Sequence, residues 1–150
     1  METNRDTSSR AIAFCCAAII VALYVVGMVS HTSLRHVVQT APLWLGVILG
    51  AYAARVARWA ALPFFLFWLG IMILIWLYLT GIARIVSGTF SPTEIAMTIV
   101  IGVASVMGIA ACFRARQGTG VGLAVLAFVV SAVLQWIAFQ VSRLPGIARR

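Results

Sequence analysis

Lysine is absent from this chain, and acid nearly so: among 150 residues only Glu2, Asp6 and Glu94 oppose eleven Arg. Charged residues make up 9% and hydrophobic ones 63%, whereas soluble domains run at about 25% charged and about 45–50% apolar. A soluble fold of this length could not hide so much apolar surface. The scarcity of acid narrows the chemistry further. A proton-coupled exporter needs a carboxylate within the membrane, and Glu94, the one acid beyond the amino-terminal segment, sits at the start of an apolar run. His31 and His36 are the only histidines, too few for a multi-histidine oxygenase, and no Cys or acid stands near them to complete a tetrahedral metal site. Cys15, Cys16 and Cys112 fall inside apolar runs and read as small buried side chains, not a disulfide framework. No cofactor is expected, and no enzymatic activity. The absence of lysine itself has no physical account here.

What the chain does have is arginine at the edges of oily stretches. Arg5 and Arg10 precede the first run and Arg35 follows it; Arg55 and Arg58 end the second, Arg84 the third, Arg114 and Arg116 the fourth, and Arg143, Arg149 and Arg150 come last. A guanidinium at the bilayer centre is disfavoured by roughly 2.5–3.5 kcal/mol even on insertion scales, so charge gathers at the rims. The net charge of +8 is therefore read as attraction to anionic headgroups. Nucleic acid is excluded as a partner, because the cations form no stripe and no aromatics interleave them.

Five runs approach the roughly 20 residues that cross about 30 Å of hydrocarbon: about 10–30, 37–57, 62–83, 92–113 and 118–141. Backbone groups cannot go unpaired in lipid, so each is expected to be helical. The predicted fold is an all-α integral membrane protein with five transmembrane helices in one compact bundle, residues 1–150 forming a single domain. The segment 37–57 contains Gln39, Thr40 and Pro42, which leaves a four-span alternative with that segment lying in the interface. The first run is longer than a signal h-region and no A-x-A site follows it, so an uncleaved first span is expected. Ser91-Pro92-Thr93-Glu94 spells a capping box with proline at the first helical position. Pro63 is expected to open the third span, Pro42 to lie in the first turn of the second, and Pro145-Gly146 to stop the fifth. The arginine count is nearly balanced, six against five, and the first helix inclines the reading to a cytoplasmic amino terminus in a bacterial inner membrane.

Helices in lipid associate through small residues and buried polar links. Candidate seams are Gly46, Gly50 and Ala54 in the second span; Gly102, Ser105 and Gly108 in the fourth; and Ser131 and Gln135 in the fifth. These faces predict that the fourth and fifth helices pack on each other. The third run carries bulky groups all round, such as Phe65, Trp68 and Trp76, and is expected to face lipid or a large partner. The turn holding Arg114, Arg116, Gly118 and Gly120 is the one candidate contact for a lipid headgroup or other anion, through guanidinia and free N–H groups; an ordinary tight turn at a membrane edge explains it as well. The expected function is a small non-enzymatic membrane protein that packs with itself or with a larger membrane complex as an accessory subunit. The alternative is a small oligomeric transporter or channel for a neutral or weakly polar solute.

Overall fold

The computed structural model describes residues 2–83, 89–115 and 118–148, and among them every regular element is helical: α1 (Glu2–Val29), α2 (Ser33–Thr40), α3 (Leu43–Ala51), α4 (Ala57–Leu79), α5 (Pro92–Arg114), α6 (Val121–Val141) and α7 (Pro145–Ala148). Among the described residues four stretches are long and apolar enough to cross a membrane: Thr7–Val29, Ala57–Leu79, Pro92–Arg114 and Val121–Val141. The expected second span is not among them. Its residues form the two short helices α2 and α3, of about 12 and 13 Å at 1.5 Å per residue, so the four-span alternative describes the continuous helices correctly.

Two local causes break that segment. Pro42 has no N–H and cannot join the ladder; it is the residue before α3, not part of a longer helix's first turn. At the far end Ala53 takes φ +48°, a left-handed backbone that terminates helices. The Ala54 amide bonds back to the Leu49 carbonyl at 2.9 Å and the Ala53 amide to Gly50 at 3.1 Å. Ala54 is thereby turned out of the helical row expected to join it to Gly46 and Gly50.

The broken segment lies against α1 and runs antiparallel to it. A Cβ on Gly27 would meet His36 and Ser33, one on Gly46 would meet the Cys16 sulfur at 2.7 Å, and one on Gly50 would meet Ser9 O and Ala13 N at 2.8 Å. From Gly27 to Ser9 is about 27 Å of helix. Gly46 also faces Phe64, which puts Phe64 of α4 level with Cys16 of α1. Thus α4 starts beside the amino-terminal end of α1 and runs parallel to it.

The bulky helix is central, contrary to expectation. Ala61, Phe64, Phe65, Trp68 and Met72 of α4 are buried, and α4 packs against α1, α3, α5 and α6. The reason lies on α5. Phe65 seats against Gly108 and Trp76 against Gly102, leaving no room for a Cβ at either glycine. Trp76 Nε1 also donates to Thr98 Oγ1 at 3.0 Å. The small face of α5 therefore receives α4's large side chains, while α5's other main neighbour is α1. Ser105 is fully buried and bonds its own helix at Ile101 O. Among the described residues the expected pairing of the fourth and fifth spans, α5 and α6, is not one of the main contacts; α6 packs on α4 and α2.

Helix ends behave as the residues dictate. Ser91 and Glu94 form the capping box reciprocally, at 2.7 and 3.2 Å. Pro63 lies inside α4, which begins six residues earlier at Ala57. Arg58 Nη1 donates to the Ala115 carbonyl at 2.7 Å, placing a cation at the negative end of α5, and its guanidinium stacks over Trp59 at 4.6 Å. Thr119 Oγ1 donates to Arg55 O at 2.6 Å, so the α3–α4 and α5–α6 turns share one end of the bundle.

Candidate functional site: the polar junction at the helix break

The end of α2 creates a demand for donors. Its last four carbonyls have no partner within the helix, and this end is covered by protein, where an orphaned carbonyl is expensive. Val38 O accepts from the Ala41 amide at 3.3 Å, and Val37 O from Thr40 Oγ1 at 3.1 Å. Gln39 O accepts from Gln135 Nε2 of α6 at 3.2 Å. Gln39, Thr40 and Gln135 are all 3% exposed or less.

A second chain of bonds ties the same elements. Ser142 Oγ donates its only proton to Phe139 O at 2.6 Å, so at 3.0 Å from Gln39 Nε2 it must be the acceptor. That orientation points Gln39 Oε1 at His36 Nδ1, 3.0 Å away, so Nδ1 carries a proton and neutral His36 is the Nδ1–H tautomer. The Thr40 hydroxyl also stands 3.4 Å from the Tyr24 hydroxyl of α1.

One atom in this junction stays unserved. Gln135 Oε1 is buried without a hydrogen-bond partner, as are Trp59 Nε1, Trp68 Nε1 and the Nε atoms of Arg35 and Arg58. Of these, only Gln135 and Trp68 belong to residues almost wholly enclosed, at 1% and 2% exposure.

The residues singled out from sequence divide accordingly. Gln135 joins the junction; Ser131, 1% exposed, lies one turn earlier on the same face of α6. Gly46 and Gly50 seat α1, and Gly102 and Gly108 seat α4. Arg114 is exposed, nothing lies near a Cβ built on Gly118 or Gly120, and Arg116 falls outside the described residues. Sequence reasoning treated Gln39 and Thr40 as flaws in a span. Their position just before a proline was the available signal of a helix end needing partners. No three His, Cys, Asp or Glu side chains among the described residues gather as a metal site. An apolar cleft of about 290 Å³ opens outward between α1 and α5, lined by Phe14, Cys15, Ala18, Val100, Val103 and Met107.

No family model, curated protein or solved structure matches this chain.

Proposed function

We propose that this chain is a small non-catalytic membrane protein that packs with itself or, as an accessory subunit, with a larger membrane complex, and that its α2–α3 segment makes a broken fifth crossing. Direction supports the crossing. Both α1 and α4 start at the same end of the bundle, in keeping with the contacts of Gly50 and Phe64, which supports a return of the chain between them. The outward face of α2 agrees, since Leu34 and Val37 are exposed while Gln39 and Thr40 are buried. A helix with its polar side inward suits a lipid-facing rim.

The observation that carries the packing role is α6. Only 17% of its most apolar stretch is buried, against 39–44% in the other three long helices. Helix association in lipid comes from close packing and buried polar links, and α6 leaves most of its length open to a further helix. Native mass measurement in mild detergent, with crosslinking in membranes, tests this. A dimer or a stoichiometric co-purifying membrane protein is expected; a strictly monomeric species without a partner contradicts the role.

A second reading, passage of a small neutral solute, is favoured by one observation: the unserved Gln135 carbonyl beside a helix break. Interrupted membrane helices place solute sites at their breaks in many transporters. Proteoliposome flux of small neutral solutes, abolished by Gln135→Leu with expression retained, would support it; flux equal to that of empty vesicles would reject it.

A further inference from the structure

The buried acceptor at the α2–α3 break calls for a ligand. Gln135 uses its Nε2 on the Gln39 carbonyl, and its Oε1 is enclosed with nothing to accept from. Across an amide the oxygen and nitrogen are about 2.3 Å apart, so Oε1 lies within about 5.5 Å of Gln39 O. One donor atom at ordinary hydrogen-bond distance can reach both oxygens, because the carbonyl keeps a second lone pair. The α2 carbonyl end adds partial negative charge on the same side.

We propose that this break binds one small neutral molecule that presents two O–H or N–H donors, held between Gln135 Oε1 and the Gln39 carbonyl. The residues select the chemistry. Both oxygens only accept, which disfavours an anion. Among the described residues no carboxylate hydrogen-bonds Gln39, Thr40 or Gln135, which disfavours a cation. A buried acceptor is ordinarily satisfied by water, and a small amide or polyol supplies the same two donors. The site deepens the second reading above and rests on the same break, but occupancy is measured without a flux assay, so the two can fail separately.

The test is cross-relaxation NMR on the full chain in nanodiscs, observing the Gln135 Hγ protons, which do not exchange with solvent. One arm uses buffer alone and the other adds urea. A long-lived water signal at Gln135 that urea leaves unchanged identifies water; its replacement by urea cross-peaks identifies a solute site. Either signal is lost in Gln135→Met. If that variant does not fold, the wild-type spectra decide alone: no resident signal from water or urea at Gln135 overturns the proposal, as does a signal that persists in a folded Gln135→Met.

Discussion

Gln135 Nε2 of α6 donates to the main-chain oxygen of Gln39, 3.2 Å away across the bundle. Ninety-six residues separate them in sequence. The bond lets a carbonyl left open by the break between α2 and α3 remain buried, and so holds the short helix α2 to α6.

Gln135→Leu should therefore destabilise more than an ordinary interhelical pair. Side-chain hydrogen bonds between membrane helices average about 0.6 kcal/mol, but stranding a buried carbonyl costs about 1–3 kcal/mol. The expected loss, in the upper range, is read by reversible unfolding in detergent–denaturant mixtures. Pro42→Ala restores an N–H that would serve Val38 O and removes the ring that breaks the ladder, favouring a continuous helix in which the Leu43 amide turns to Gln39 O. The double variant should lose less than the two single losses added together. Additive losses would mean that the bond to Gln39 is not what Gln135 contributes.

Glycines that look alike in sequence should respond differently. At Gly50 a new Cβ meets α1 backbone at 2.8 Å, which no rotamer change relieves, so Gly50→Val should abolish folded protein in a detergent-stability assay. Gly118 has open space around it, and Gly118→Val should stay within about 0.5 kcal/mol of wild type.

Ala53 holds a left-handed backbone at φ +48°, a conformation that disfavours a non-glycine residue by about 1–2 kcal/mol. Glycine removes that strain but gives the unfolded chain about 0.4–1 kcal/mol more freedom. Ala53→Gly should stabilise by roughly 0.5–1 kcal/mol on balance, measured by thermal unfolding in detergent.

Much of the fold could be read from residues alone, and the failures share a cause. The four continuous spans follow from apolar length, and the Ser91–Glu94 capping box from local spacing, because both are properties of contiguous residues. Pro42 misled, since a proline in a first turn and one at a break have the same neighbours in sequence. Ala53 carries no signature of its left-handed backbone, which glycine would have announced. The bulk of α4 suggested lipid exposure because the notches that receive Trp76 and Phe65, Gly102 and Gly108, lie 26 and 43 residues away on α5. Of the candidate site, Gln135 was visible as a polar residue in an apolar run. Its partner was a main-chain atom, which no side-chain pattern records.

The central proposal is that the chain crosses the bilayer between α1 and α4, for an odd total of five. Reporter fusions at each end of the full chain, alkaline phosphatase for the outer face and a fluorescent protein for the inner, measure this directly. Opposite sidedness of the two termini is the expected result, with the reporter pair at the amino terminus matching that in the Tyr52–Val56 turn. Termini on the same side would contradict the broken crossing and the role assigned to its junction.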